Sequence, residues 1–342
     1  MNKELKAQIR ERIGFLEKNK NLLVIDADTH LTDMDHLHET IAEQVNSTPD
    51  YYHGRPIGHR ELLAEMKQAG VNMCLVWQNP AATVYSQDKK MNFERLLAAN
   101  RYIYESANRF PEKFIPAGWT DPQSLALGDA LKLVEICVNE FGFPFVKMNP
   151  AQNGYPMDSE VVKTIQDKIV SLGAIPVFHY GADTEYTPAT GLGALASRYL
   201  EHPIMAIHMG GGGAGYVEAE QLYHDSRALG LKYPNIKYVL SARRDTHTES
   251  DLITYQLAGE PFSKNICCAS DAPYGKQSWN FGGYCLMFET LKDGANHPDK
   301  RLNENSGLFD DQAVVNFMGG NFAELTIWAC RNILKNEFDL IT

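Results

Sequence analysis

Eight short apolar runs alternate with helix-like segments along almost the whole chain. Each run is rich in β-branched residues and is bounded by turn residues or polar segments, the pattern of a buried strand. The runs cover residues 21–27, 71–77, 113–119, 143–149, 174–180, 204–210, 236–242 and 265–271. The segments between them place apolar residues at three- and four-residue spacing, as amphipathic helices do. This alternation predicts a parallel sheet covered by helices, and eight strands are the number that closes a (β/α)8 TIM barrel.

The remaining segments can be placed around one such barrel. Although 342 residues exceed the length of an average domain, α/β barrels commonly run beyond about 250 residues as one domain. We predict an N-terminal helical extension over residues 1–20 and a barrel domain over residues 21–342. An insertion covers about residues 31–58, after the first strand, and the last 35 or so residues form a C-terminal helical extension.

Composition excludes two classes of function. Asp and Glu number 43 against 32 Lys and Arg, a net charge of −11, whereas nucleic-acid binders usually carry a basic face. A membrane span needs a run of about 18 apolar residues, and the sequence has no such run. The six cysteines form no CxxC motif and lie in or near apolar segments, which favours reduced thiols in a cytoplasmic protein. The N-terminal segment lacks the apolar core of a secretory signal.

Metal-binding residue types stand at the carboxyl ends of several predicted strands. Asp28 and His30 close the first strand, His179 the fifth and Asp271 the eighth. Residues two apart in a strand point to the same side, so Asp28 and His30 could reach one ion. A set of carboxylates and imidazoles suits Zn²⁺ or Mn²⁺ with a position left open for water. Each residue alone could be structural, but four at the strand ends of one barrel favour a metal site.

His208 ends the sixth strand, in the sequence IHMGG. Its position at the barrel mouth makes it a candidate catalytic acid or base, because an imidazole titrates near neutral pH. The glycine run that follows, 210–215, contains GxGxxG and could bind a nucleotide. Asn235 stands where such a loop would have an acidic residue. The alternative is a flexible loop that brings backbone N–H groups close to a substrate anion.

Four basic residues are candidates for binding an anionic substrate. Arg243 and Arg244 follow the seventh strand, where an Arg could hold a carboxylate by two hydrogen bonds. Arg55 lies in the insertion, and Lys147 lies in the fourth strand. Ordinary surface positions are the alternative for the three arginines. Lys147 could pair with Asp271 inside the barrel or with substrate.

The order of these motifs resembles the amidohydrolase-related (amidohydrolase 2) family of the metal-dependent amidohydrolase superfamily, which includes non-oxidative decarboxylases. The resemblance runs from IDADTH at 25–30 to NFMGGNFAELTIW at 316–328, where Gly320 and Asn321 match the family's GN pair. It implies a barrel with one divalent metal and the possibility of a homodimer. It also implies that His208 acts on the metal-bound water and that Asp271 both touches the metal and takes a proton.

The residue at position 28 departs from the commoner pattern of the family, in which two histidines flank the middle residue. An acid at this position, here Asp28, resembles the pattern of the decarboxylases of the branch, which often have an acid there. The leading hypothesis is a mononuclear hydrolase with Zn²⁺, or alternatively Mn²⁺, acting on a small organic acid or lactone-like substrate. The second is a metal-dependent carboxy-lyase, and the third is a non-catalytic barrel that binds a small molecule.

Overall fold

The predicted (β/α)8 barrel is confirmed. The computed structural model describes residues 1–48, 53–181, 185–211 and 220–336. Every predicted run overlaps a strand, and neighbouring strands pair in parallel. The strands are β1 (Ile25–Leu31), β2 (Met73–Gln78), β3 in two segments (Phe114–Pro116 and Gly118–Trp119), β4 (Phe145–Met148), β5 (Ile175–His179), β6 (Ile204–Ile207), β7 (Ile236–Leu240) and β8 (Ile266–Cys268).

The first and last strands meet across a short seam. The backbone N–H of Asp271 donates to the carbonyl of Asp28 at 3.0 Å, and the N–H of His30 donates to that of Ala272 at 2.7 Å. The segment directly after β8 therefore lies beside the end of β1. This seam brings together residues that are more than 200 positions apart in the sequence.

Helices follow the strands and cover the outside of the barrel. Their apolar faces meet strand residues; for example, Phe145 of β4 stacks on Phe322 with ring centroids 5.4 Å apart. The α-helices are α1 (Lys3–Asn19), α2 (Glu39–Ser47), α3 (His59–Ala69), α4 (Lys89–Arg109), α5 (Leu127–Glu135), α6 (Pro150–Asn153), α7 (Glu160–Ser171), α8 (Ala189–Ala196), α9 (Glu220–Lys232), α10 (Asp245–Ala258), α11 (Gln277–Lys292), α12 (Lys300–Asn303), α13 (Asp311–Val315) and α14 (Asn321–Asn336). Short 3-10 turns occupy Pro80–Ala82, Phe262–Asn265 and Gly294–Asn296, and π-helical turns occupy Ile136–Glu140 and Asn316–Gly320.

Helices also occupy the regions for which we predicted extensions. Helix α1 packs along α14, and its Leu5 and Ile9 reach Gly142, just before β4 begins. Gly142 has a φ of 65°, and a Cβ at this position would lie 2.9 Å from Leu5, so the close approach of α1 requires glycine. The predicted insertion after β1 contains α2 and leads into α3.

Two further observations concern the helices and the cysteines. None of the helices in the described residues combines the length and the apolar character needed to cross a bilayer. All six cysteines are free thiols, five of them buried and Cys285 exposed. Their burial agrees with the prediction of reduced, mostly buried cysteines.

Candidate metal centre

The backbone is strained where three neighbouring strands end at the barrel mouth. His208 after β6, Ala242 after β7 and Asp271 after β8 have φ values of 75°, 50° and 62°. A residue with a Cβ in this left-handed region costs about 1–3 kcal/mol and persists only where its surroundings enforce it. Such residues concentrate at functional sites. Two of the three are residues that the sequence singled out as catalytic candidates.

Three of the four predicted metal ligands meet at this mouth. One ligand atom each of Asp28, His30 and Asp271 lies within 4.8 Å of the others, and all three residues are buried. His30 Nε2 is 3.3 Å from Asp271 Oδ1 and 3.7 Å from Asp28 Oδ1. The seam between β8 and β1 produces this arrangement, because it sets Asp271 beside the backbone of Asp28.

The ring of His30 is held in the orientation that a ligand needs. Its Nδ1 lies 2.8 Å from the backbone carbonyl of Gln78. A carbonyl only accepts, so Nδ1 carries the proton and Nε2 keeps its lone pair on the side of the two carboxylates. Trp77 Nε1 donates to this Nε2 at 3.3 Å, so a bound metal would take the place of the indole N–H on that lone pair.

The donor set fits one divalent ion. Two ligands bonded to one ion at about 2.1 Å lie about 3.0–3.4 Å apart. The distance of 3.3 Å from His30 to Asp271 falls in that range, and the distance of 3.7 Å from His30 to Asp28 lies just beyond it. Nitrogen and carboxylate oxygen are ligands that Zn²⁺ and Mn²⁺ both accept. The residues present can therefore hold a divalent metal, whose identity they leave open.

Lys147 shares the site. It lies on β4 with its Nζ 3.5 Å from Asp28 Oδ1 and 3.9 Å from the centre of the Trp77 ring, with Trp119 5.2 Å away. Burial opposes ionisation of Asp28, but Lys147 and the nearby imidazoles lower the pKa of its carboxyl to about 2. Burial lowers the pKa of the Lys147 ammonium, and Asp28 opposes that shift. The structure thus pairs Lys147 with Asp28, a partner that the sequence analysis did not name, rather than with Asp271.

His179 takes a different position from the other predicted ligands. It ends β5 and faces His208 edge to face, with ring centroids 4.7 Å apart, and it is not part of the three-residue cluster. Burial is the main cause that lowers the pKa of both imidazoles. His179 as a metal ligand stays a prediction.

A hydrogen-bonded chain connects His208 to Asp28. Ser241 Oγ lies 2.8 Å from Asp28 Oδ2 and 2.9 Å from His208 Nδ1. The carboxylate accepts the Ser241 hydroxyl, so Ser241 in turn accepts from Nδ1–H of His208. This arrangement leaves the lone pair of His208 on Nε2, the form of a base.

Two residues that were not predicted, Ser241 and Asp26, support the cluster. A serine after a strand, such as Ser241, is too common to indicate a role by itself. Asp26 is fully buried and accepts hydrogen bonds from the backbone N–H and the hydroxyl of Ser270 and from Gln277 Nε2. It thereby fixes the segment that carries Asp271. The signal for Asp26 was a carboxylate inside an apolar strand, two residues before a predicted ligand.

Two of the predicted arginines, Arg243 and Arg55, have partners within the protein. Arg243 forms a buried ion pair with Asp251 of α10 and donates to the carbonyl of Met209 at 3.2 Å. Asp251 also pairs with Arg227 of α9. Arg55 donates to the carbonyl of Val45 at 3.4 Å. The structure therefore gives Arg243 a structural partner, and its role toward substrate, like that of Arg244 and Arg55, stays a prediction.

Most of the glycine run lies outside the described residues. Gly210 and Gly211 follow His208, and the structure resumes at residue 220. The role predicted for 210–215 is therefore not tested by the structure.

Comparison with known proteins identifies the fold. No family model matches the sequence, and no curated protein matches it. Among solved structures, the chain is similar to a dihydroxybenzoic acid decarboxylase from a Polaromonas species, with bound manganese and the inhibitor 2-nitroresorcinol. Identity is 14%, the TM-score is 0.60, and 89% of this chain and 96% of that chain are covered.

Two further solved structures are similar to this chain over most of its length. One is described as amidohydrolase II, with 14% identity, a TM-score of 0.59, and coverage of 88% of this chain and 99% of that one. The other is 4-oxalomesaconate hydratase from Rhodopseudomonas palustris, with 17% identity, a TM-score of 0.58, and coverage of 94% and 100%. The chain thus has the fold of these three proteins, in agreement with the barrel that the resemblance in its sequence implied.

Proposed function

We propose that this protein is a metal-dependent enzyme of the amidohydrolase type that removes a carboxyl group, without oxidation, from a small anionic aromatic or dienoic acid. The observation that carries the proposal is the buried cluster of Asp28, His30 and Asp271, with His208 connected to it through Ser241. The fold shared with a manganese-containing decarboxylase supports the same reaction class. Mn²⁺ or Zn²⁺ would occupy the cluster.

The walls of the site suit a flat, negatively charged substrate. Around His30 stand the rings of Trp77, Trp119 and Tyr274, with centroids 6.0, 6.3 and 5.4 Å from the imidazole. Aromatic walls of this kind bind planar rings by stacking or edge contacts. Lys147 beside these rings is paired with Asp28, and together with a bound divalent ion it would offset the two carboxylates and leave positive charge for an anionic acid.

The chain's own residues then handle the proton. When bound, the ion supplies positive charge that grips the substrate carboxylate and a neighbouring oxygen. The bond between the ring carbon and the carboxyl carbon breaks, CO2 leaves, and the electron pair stays on the ring carbon. The proton comes from solvent: Asp271 or Nε2 of His208 takes it up first and then passes it to that carbon. Ser241 keeps His208 oriented through this step.

Hydrolysis remains the second candidate function, because His208 is held in the form of a base that could activate water against a lactone or amide. The two reactions leave different products. Decarboxylation in D2O places one deuterium on the carbon that lost CO2, whereas hydrolysis releases an acid and places none on carbon.

The test is turnover of a panel of ortho-hydroxybenzoates and lactones by the Mn²⁺- and Zn²⁺-loaded protein. We expect CO2 release with deuterium on the product carbon, and its loss in Asp271→Asn. The control Asp225→Asn changes an exposed aspartate of α9 and should keep full turnover. Acid release without CO2 would replace the proposal by the hydrolase, and turnover that survives in Asp271→Asn would overturn the site.

Two attributes stay predictions from the sequence. A homodimer is implied by the resemblance, and light scattering after gel filtration should give a mass near 77 kDa, about twice that of the 38.4 kDa chain. A cytoplasmic location follows from the cysteine pattern, and fractionation of the source cells would test it.

A further inference from the structure

A second pocket lies on the outer side of the barrel wall that carries the metal cluster. Side chains of a strand alternate between its two faces. His30 and Trp77 therefore face the lumen, while their neighbours Leu31 and Gln78 face outward. Together with Arg95 of α4, these two outward side chains line a cavity of about 250 Å³ between the strands, α4 and the segment that follows β1.

Two buried polar groups line this pocket without hydrogen-bond partners. Thr32 is 9% exposed and Gln78 is 2% exposed. Within the described ranges, neither Thr32 Oγ1 nor Gln78 Nε2 has a partner, although Gln78 Oε1 accepts from Thr83. Buried polar groups are nearly always satisfied, so an unpaired donor in a cavity indicates a missing water or ligand. Both groups can donate a hydrogen bond, so a ligand in this pocket should carry hydrogen-bond acceptors.

Arg95 makes the pocket electropositive. Its guanidinium donates to the carbonyl of Val84, and no carboxylate in the part of the chain that the structure describes forms an ion pair with it. The acidic residue of the rim, Asp33, is already paired with His36 at 2.8 Å. A guanidinium and two neutral donors around one cavity are the groups that recognise a carboxylate.

We propose that this pocket binds a small monocarboxylate with an apolar body, separately from the metal centre. The carboxylate would accept from Arg95, Gln78 and Thr32, and the body would lie against Leu31 and Ala99. The volume falls just below the range of about 300–1,000 Å³ typical of drug-sized ligands, so the ligand is small. The pocket also adjoins the metal centre, because the carbonyl of Gln78 holds His30.

The experiment is calorimetric titration of the metal-loaded protein with cyclopentanecarboxylate and with the neutral cyclopentanecarboxamide. We expect the acid to bind with a Kd of about 1 mM and the amide to bind at least tenfold more weakly, because it lacks the charge. Arg95→Met should weaken binding of the acid about tenfold or more, and Thr32→Val about threefold. The control Arg101→Met changes an exposed arginine of the same helix and should stay within twofold.

Asp271→Asn separates this pocket from the metal centre. Binding of the acid should stay within twofold in this variant, whatever happens to turnover. The proposed binding site therefore does not depend on the proposed reaction. Loss of binding in Asp271→Asn with normal binding in Arg95→Met would place the acid at the metal centre and overturn the proposal. Absence of binding to the wild type, or equal binding of acid and amide, would also overturn it. If Arg95→Met does not fold, binding of the acid to Thr32→Val and binding of the amide to the wild type still test the proposal.

Discussion

The two ends of the barrel are built from different kinds of residue. At the carboxyl end, charged and imidazole side chains are buried together, and three strand ends have left-handed backbone. At the amino end, before β4, helix α1 covers the structure with apolar side chains such as Leu5 and Ile9. The carboxyl end is therefore destabilised by the buried reactive groups that it holds. Apolar packing at the amino end stabilises the fold and offsets that loss.

The largest effect should come from the proton carrier at the carboxyl end. His208→Ala should lower kcat by about 10²–10⁴-fold, because it removes a positioned acid or base. The metal content should stay near that of the wild type, since His208 is outside the three-residue cluster. Steady-state kinetics and elemental analysis of the same preparation measure both quantities. Loss of metal together with activity would instead make His208 a ligand.

The buried lysine should distinguish metal-free from metal-loaded protein. Lys147→Met leaves Asp28 without its cation and should lower the free energy of unfolding of metal-stripped protein by about 3–5 kcal/mol. A bound divalent ion would replace that charge, so the loss should be smaller in metal-loaded protein. Chemical denaturation of both forms tests this. Lys292→Met, which removes a surface ion pair with Asp311, should lower the free energy of unfolding far less in either form, because solvent screens exposed pairs. Equal losses for Lys147→Met in the two forms would contradict a metal beside Asp28.

A change at the amino end should affect stability and leave the chemistry alone. Ile9 is 1% exposed, so Ile9→Ala should lower the free energy of unfolding by about 2–5 kcal/mol through lost burial and a cavity. Activity per folded molecule should stay unchanged. Leu22→Ala, at a residue 78% exposed, should change stability by less than about 0.5 kcal/mol. A fall in kcat for folded Ile9→Ala would show that the two ends are not separate in function.

The smallest effect should come from Ser241, the serine that connects His208 to Asp28. Ser241→Ala removes the bond from His208 to Asp28 and should lower kcat about 10–100-fold, the usual effect of losing a group that orients a ligand. The loss should change the pH profile of kcat, which a merely structural defect would not do. Ser106→Ala, at a buried serine of α4, should leave both kcat and its pH profile unchanged.

The strands and their polar ends were predictable because both depend on local pattern. An apolar run bounded by turns predicts a buried strand, and a His or Asp at its end predicts a residue at the mouth. Asp28, His30 and Asp271 could thus be named from the sequence before the structure showed them together.

Contacts across the barrel could not be predicted in the same way. Ser241 meets Asp28 across 213 positions, and Asp26 meets Ser270 across 244, so both depend on how the ring closes. Arg243 was predicted to bind a substrate carboxylate because it follows the seventh strand, at the barrel mouth. Its actual partner, Asp251, is placed by the packing of α10.

The most direct test of the metal centre is the metal content of protein purified without chelator or added metal. Elemental mass spectrometry should find about one divalent ion per chain in the wild type and less than about 0.1 in Asp271→Asn, because that change removes one of three clustered ligands. His179→Ala, measured in parallel, decides whether this residue is a fourth ligand. Equal metal content in the wild type and Asp271→Asn, or a metal-free wild type that Zn²⁺ and Mn²⁺ do not activate, would contradict the account.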